Sequence, residues 1–382
     1  EMCIRDSIYL DHNATTPVAP EVLESMLPFL RNDYGNPSSL HWFGQRTRAA
    51  TEDARTQVAA LMGAEPAEIV FTGSGTESDN MALRGVAARA REPRRGIVTT
   101  TIEHHAVVDT AKALRDEGWP VDLAGVDAFG RLRLEDLRAT VDERTALVSL
   151  MLANNETGVL QPVPEAAALA HERGALVHCD AVQAAGKVSI DVGALDVDLL
   201  TLSAHKIYGP KGVGCLYVRR GTALSPLVTG GSQERHRRAG TVNVAGVVGF
   251  GAAAVLARAR LEAEAAHLGA LRDRLEARLL ASPGASLNGG APRLPTTTNV
   301  SFEGTEAEGL VMALDLAGVA VSTGAACAAG GAEPSHVLKA MGFPPERVES
   351  ALRLSLGRST TEEQVDRAAA IIRACVERQR AR

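Results

Sequence analysis

Between about residues 69 and 218 the chain alternates short apolar runs with longer amphipathic stretches, and this pattern restricts its fold more than any other feature. Ile69-Val70-Phe71-Thr72, Ile97-Val98-Thr99, Ala146 to Leu150, Leu176-Val177-His178-Cys179 and Leu199 to Leu202 read as strands. Between most of them lie stretches with helical apolar spacing, such as Ser78 to Arg91 and Ala106 to Glu117. Strand and helix in alternation predict an α/β domain with a mostly parallel sheet flanked by helices. Ligands of such sheets sit beyond the carboxyl ends of the strands, so the loops that follow these strands are where chemistry is expected.

The chain has 382 residues, enough for two domains of ordinary size. After the alternating region, residues Gly251 to Ala281 carry helical spacing and end at Ser282-Pro283-Gly284. The pattern then changes to Asn299-Val300-Ser301-Phe302, a helix from Glu306 to Leu316, Val319 to Ser322, a glycine-rich loop, a strand from Ala351 to Leu356 and a terminal helix from about Thr360. The expected division is a large domain over 8–250 and a smaller α+β domain over 251–382, with the segment at about 8–25 packing on the smaller one. Residues 1–7 are set aside, because Glu1 is not an initiator and the stretch lacks the marks of a secretory signal.

Composition narrows the function classes. The net charge of −6 gives no general attraction to nucleic acid or anionic membranes, and Arg235-His236-Arg237-Arg238 is too short a basic run to suggest a nucleic-acid site. The most apolar stretch, Val244 to Ala257, is rich in Gly and Ala and runs into Arg258, so it reads as the buried start of a helix. Five widely spaced cysteines without a Cys-x-x-Cys pair disfavour both a disulfide framework and a structural zinc site, and a reducing cytoplasm is the expected setting.

Several strand ends carry reactive groups. Lys206 closes the run Leu202-Ser203-Ala204-His205-Lys206. A desolvated amine there is nucleophilic and suits an imine with an aldehyde cofactor, although a strand-end lysine alone more often snorkels to solvent. Asp180 ends Val177-His178-Cys179-Asp180, with Gln183 one helical turn later. A buried carboxylate can keep a pyridoxal ring nitrogen protonated, and an Asp after a strand can equally cap a helix. Thr72-Gly73-Ser74-Gly75-Thr76 joins a strand to a helix and offers N–H groups to an anion, with Ser203 and His205 as further donors; a plain tight turn is the alternative. That loop matches neither the mononucleotide nor the dinucleotide phosphate pattern, which weighs against a nucleotide-binding module.

Three further elements complete the set. His104, in Glu103-His104-His105, is placed to lie on a cofactor ring and move protons, or to be structural. Asn154-Asn155 offers two amides, or a turn. Arg353 lies among apolar residues and needs a carboxylate, either that of an amino-acid substrate or that of an acidic side chain. Cys327 differs from the other internal cysteines: it lies in Ser322-Thr323-Gly324-Ala325-Ala326-Cys327-Ala328-Ala329-Gly330-Gly331, where nothing is bulky. That setting suits a thiolate that must reach a substrate and then a partner.

Together these segments resemble the cysteine desulfurases of the NifS/IscS type, within the class V aminotransferase-like enzymes of PLP fold-type I. The resemblance rests on Ala14-Thr15-Thr16-Pro17, Gly35-Asn36-Pro37-Ser38, Thr76-Glu77-Ser78-Asp79-Asn80, Asn154-Asn155-Glu156, the run from Ser203 to Gly212, and Arg353-Leu354-Ser355-Leu356-Gly357-Arg358. It implies a seven-stranded, mostly parallel sheet and pyridoxal 5'-phosphate as cofactor. Lys206 would bind the cofactor aldehyde, His104 would stack on its ring, Asp180 would pair with the ring nitrogen and Gln183 with the ring hydroxyl. Gly75, Thr76, Ser203 and His205 would hold the phosphate. Thr241 would reach the phosphate site of a second subunit, which implies a homodimer. Asn155 and Arg353 would bind the carboxylate of L-cysteine. Cys327 would take the sulfur as a persulfide, release alanine and pass the sulfur to an acceptor such as an iron–sulfur scaffold protein. Ala325 and Ala328 stand where hydroxyl residues are common in that family, and Gly75 where Ala is common. Another class V enzyme, a selenocysteine lyase or an aminotransferase, is the alternative; a plain aminotransferase has no need of Cys327.

Overall fold

A computed structural model describes residues 7–324 and 334–381. In chain order the strands are β1 (Ile8–Tyr9), β2 (Ile69–Thr72), β3 (Gly96–Thr100), β4 (Val121–Ala124), β5 (Thr145–Met151), β6 (Leu176–Asp180), β7 (Leu199–Ser203), β8 (Gly214–Val218), β9 (Ala285–Leu287), β10 (Thr297–Phe302), β11 (Val319–Ala320) and β12 (Ala351–Ser355). Seven of them form one sheet in the order β2-β8-β7-β6-β5-β3-β4. Only β8 runs against its neighbours; the other pairings in this sheet are parallel. The expected mostly parallel seven-stranded sheet is therefore present.

The strands are apolar throughout because both faces of the sheet are covered. Phe71, Val98, Val148, Val177 and Leu200 enter one core, while their strand neighbours Val70, Ile97, Leu147 and Leu199 enter a second cluster on the opposite face. That period of two is the pleat itself. Two strands of this sheet were not legible in the sequence. β4 is an edge strand whose central Asp122 and Leu123 are exposed, so no apolar run marks it. β8 begins at Gly214, where an added Cβ would lie 2.7 Å from the Ser74 carbonyl carbon and 2.8 Å from the Leu202 oxygen. Glycine there lets the sheet approach the turn that precedes the helix Gly75–Ala87.

A separate core forms around the three-stranded antiparallel sheet β12-β10-β9. Val300, Phe302, Leu352 and Leu354 from that sheet meet Leu310 and Leu314 of the helix Ala307–Leu316 and Ile372 of the helix Glu362–Arg380. Ile8 and Leu10 from the N-terminal segment lie in the same core, and β1 pairs in parallel with β11.

One helix serves both cores. Val244–Leu280 starts at an Asn243 cap and runs for 37 residues. Its first half places Phe250, Ala253, Ala254 and Ala257 in the core of the large sheet, and its second half places Leu268, Leu271, Leu275 and Leu279 in the other. By length and composition it could span a bilayer, yet many of its apolar residues are buried in these two cores. Phe250 is fully buried and meets Phe71 edge-on at 6.4 Å between ring centroids. Phe250→Ala is expected to destabilise the fold by roughly 3–5 kcal/mol, read from denaturant unfolding monitored by circular dichroism.

Candidate active site

The carboxyl ends of β2, β3, β5, β6 and β7 open on one cavity of about 250 Å³. It is lined by Ala14, Ser74, Gly75, Thr76, Asp79, His104, Met151, Ala153, Asn155, Asp180, Val182, Gln183, Ser203, His205 and Lys206. Nine residues expected at the site from the sequence (Gly75, Thr76, His104, Asn155, Asp180, Gln183, Ser203, His205 and Lys206) thus meet in one place. The parallel topology explains this convergence, since it aligns the ends of strands that are far apart in the chain.

Lys206 lies in a short 3₁₀ turn directly after β7. Its Nζ donates to the backbone carbonyl of Ala14 at 2.8 Å and to that of Asn13. Gln183 Nε2 donates to the same Asn13 carbonyl at 2.9 Å. The N-terminal segment therefore passes under the amine and is part of the site.

Asp180 is buried, and Val182 N–H donates to its Oδ1 at 2.9 Å. Burial pushes its carboxyl up to about 6, opposed by that N–H and by the Lys206 charge. His104 caps the helix His105–Asp116, and its Nδ1 accepts from Ala106 N–H at 3.1 Å. That bond leaves the ring proton on Nε2. Burial, then the charge of Lys206, holds the imidazole down at about 4, so it is neutral at pH 7.

At the other end of the cavity Ser74 caps the helix Gly75–Ala87 by accepting from Glu77 N–H at 3.1 Å. The first-turn N–H groups and the positive end of the helix dipole suit an anion. His205 Nδ1 lies 3.1 Å from Thr15 Oγ1. Burial and the neighbouring lysines hold this imidazole at about 4, so it is neutral at pH 7. Gly75 packs closely: an added Cβ would stand 3.0 Å from Val182 Cγ2. A β-branched Val182 beside it accounts for a glycine here.

Two expected residues lie elsewhere. Arg353, on β12, does not line the cavity; Nη1 donates to the Asn155 carbonyl at 3.2 Å and Nη2 pairs with Asp11 at 2.8 Å. The acidic side chain weighed as its partner is thus Asp11. Thr241 is exposed, outside this chain's cavity. The loop that carries it is fastened by Glu234, which accepts from both terminal nitrogens of Arg55 at 2.8 Å. Glu234, Arg235 and His236 all take left-handed backbone. Arg238 grips Glu77, whose Oε2 also accepts from Gly73 N–H at 2.8 Å. Cys327 lies outside the described residues. Near the two ends of its segment, Gly324 packs on the Glu156 carboxylate and Ser335 Oγ donates to Glu156 Oε2 at 2.5 Å, next to Asn155. His336 Nε2 lies 2.9 Å from the Glu103 carbonyl, next to His104.

Asn13, Asp79 and Glu103 are contributors that the sequence did not mark. Asn13 precedes its motif without any charge or periodicity to single it out. Asp79 lines the cavity and is raised above the ordinary carboxylate range by burial and then by Asp180. Asp79 lies one helical turn after Gly75, a spacing that could have flagged it.

The class V aminotransferase family model matches residues 8–368 of the chain. A cysteine desulfurase of Trichormus azollae is 49% identical over 376 residues, spanning 98% of this chain and 94% of that protein. The chain belongs to the aminotransferase class-V family. Among solved structures, one titled NifS-like protein superposes with a TM-score of 0.92 at 41% identity, covering 97% of this chain and 99% of that one. Another, titled SspA in complex with cysteine, gives 0.81 at 34% identity, covering 92% and 99%.

The donor set of this class V cavity fits pyridoxal phosphate. An amine, a buried carboxylate and a neutral imidazole share one end with a side-chain amide, and a helix N-terminus closes the other. The buried acids also give the fold a pH signature. Glu103 accepts from Thr100 Oγ1 and from Met151 N–H at 3.1 Å, and burial pushes its carboxyl from an ordinary 4.5 to about 8. The folded state therefore holds this proton more tightly than the unfolded chain does. Its contribution to stability is full below about pH 4.5 and is lost as pH rises toward 8. Glu103→Gln, fixed in the neutral form, is expected to flatten that part of the stability–pH curve, measured by urea unfolding at a series of pH values.

Proposed function

We propose that the protein is a pyridoxal-phosphate-dependent cysteine desulfurase that takes the sulfur of L-cysteine onto Cys327 and releases L-alanine. The observation that carries this reading is that Lys206, Asp180 and His104 converge in one cavity, while Ser335 and His336, which follow the Cys327 segment, bond to Glu156 and to the Glu103 carbonyl, the chain neighbours of the cavity residues Asn155 and His104. The relative named as a cysteine desulfurase and the related structure titled as a complex with cysteine support the substrate.

Bound pyridoxal phosphate supplies an electron sink that makes the substrate α-proton acidic and its C–S bond labile. Lys206 would hold the cofactor aldehyde, and its amine would move the α-proton of the substrate. Asp180 would hold the ring-nitrogen proton; burial raises its carboxyl, while the Val182 N–H and the Lys206 charge favour the ionised form that this role uses. His104 presents Nε2–H to the cavity, and Gln183 presents its amide to the ring hydroxyl. The amides of Gly75 and Thr76, with Ser203 and His205, hold the phosphate. Asn155 and Arg353 take the substrate carboxylate; the Arg353 Nε is buried and, among the described residues, unpartnered, so this guanidinium has a donor to spare beyond Asp11. The Cys327 thiolate attacks the substrate sulfur, so an S–S bond forms as the C–S bond breaks. The persulfide stays on Cys327 until a thiol of an acceptor, such as an iron–sulfur scaffold protein, takes the outer sulfur.

The active assembly is a homodimer in which Thr241 serves the phosphate site of the second copy. An exposed aromatic patch supports this, with Tyr34 76% and Trp42 62% exposed and Phe43 stacked on Tyr34 at 5.7 Å. Such a patch is large for a surface left to water. Trp42→Glu is expected to shift sedimentation from dimer toward monomer and to lower activity in parallel.

The deciding experiment reconstitutes wild type, Lys206→Ala and Cys327→Ala with pyridoxal phosphate and assays sulfide and alanine from L-cysteine under reductant. Wild type should be yellow and release both products. Lys206→Ala should be inactive, and Cys327→Ala should keep its colour but yield no sulfide. Sulfide at full rate from Cys327→Ala would move the chemistry to a lyase without a persulfide. A wild type that binds no cofactor would sink the reading.

A further inference from the structure

Lys187 is, among the described residues, a buried lysine beside the cavity that the proposed chemistry does not use. It follows Gln183 by one turn, after a bend at Gly186, whose φ is +68° and whose added Cβ would stand 3.1 Å from Ile207. Its Nζ donates to Gln183 Oε1 at 3.0 Å and approaches Asn13 Oδ1 at 3.4 Å. Both acceptors are neutral amide oxygens. Among the described residues no carboxylate pairs with it, and the charges that bear on it are the cations Lys206 and Arg353. Burial, then these cations, bring its pKa down to about 7. An amine so placed costs stability, so packing alone does not account for it.

What the amine does is settle an orientation. A side-chain amide has a donor end and an acceptor end that are nearly equal in shape, and it flips unless its partners forbid it. Lys187 in its charged form only donates, and its Nζ donates to Gln183 Oε1, so this bond turns the amide oxygen toward the amine. Nε2 is then left at the cavity side, where it donates to the Asn13 carbonyl that also receives Lys206. The same ammonium faces Asn13 Oδ1, which leaves Asn13 Nδ2 to donate to the Asn155 carbonyl at 3.1 Å.

We propose that Lys187 is a positioning residue that acts through Gln183, fixing its amide so that N–H, and never C=O, faces the cofactor cavity and the Lys206 anchor. This rests on the pyridoxal-phosphate reading of the cavity. Lys187 itself does not line that cavity.

A structural role and a positioning role predict opposite outcomes for Lys187→Met, which keeps the stem and removes the amine. The test compares wild type, Lys187→Met, Gln183→Ala and the double variant, each reconstituted with pyridoxal phosphate. Lys187→Met should melt at the same or a higher temperature and still bind the cofactor. Its kcat should fall about 10- to 100-fold, the scale of a misplaced reacting group, with a smaller change in KM. The visible absorbance of its bound cofactor should titrate at higher pH, because both a nearby cation and an enforced donor are lost. The double variant should be no slower than Gln183→Ala alone, since the two residues act in series. Additive losses, or a Lys187→Met enzyme with wild-type kcat and titration, would overturn the proposal. If Lys187→Met does not fold, Lys187→Gln enters the same cycle, and additivity there overturns it equally. A wild type that takes up no pyridoxal phosphate removes the reading of the cavity and this inference with it; a wild type that does, beside an unaltered Lys187→Met, removes this inference alone.

Discussion

The arrangement of the site depends on the carbonyl of Asn13. Two donors, Lys206 Nζ and Gln183 Nε2, converge on this single oxygen. The Asn13 side chain meanwhile bonds the Asn155 carbonyl, Thr297 on β10 and Lys187. One residue of a segment with little regular structure thereby joins the large sheet, the small sheet and the reactive amine. Backbone carbonyls suit this task because their direction is set by the chain path rather than by a rotamer.

Around that contact the charges are held in a dry region where each one alters the others. Asp180 and Glu103 are pushed up by burial, while His104, His205 and Lys187 are pushed down. The outcome at neutral pH is a set of neutral imidazoles beside carboxyls that burial has raised and a buried lysine that burial has lowered. An anionic ligand entering the helix end would find donors already aimed, with little reorganisation left to perform.

Much of this was legible in the sequence, for identifiable reasons. Strands covered on both faces write themselves as apolar runs, so β2, β3, β5, β6 and β7 could be read, and their ends named the loops that bear Thr76, His104, Asn155, Asp180 and Lys206. β4 was hidden because an edge strand with an exposed centre carries no run, and β8 because it opens on a glycine chosen for close approach. Arg353 could be read only as an arginine in need of a carboxylate; that Asp11 supplies one depends on β12 lying beside the N-terminal segment. Asn13 and Lys187 were illegible for a related reason. Their significance lies in which oxygen each one faces, and that is a property of the folded path rather than of local composition.

The helix Val244–Leu280 gives the molecule a mechanical property that neither core has by itself. At 37 residues it is a rod about 55 Å long, buried at one end in the large-sheet core and at the other in the small-sheet core. Tilting the small sheet away from the cavity would require the rod to bend or to pull Phe250 from its socket. The anchorage of Arg353 and Ser322, which share a bridge on the small-sheet side, is thereby referred to the same beam that braces the wall behind Lys206. The two sheets are thus referred to one continuous element, and any change in the distance between them has to be carried by that helix.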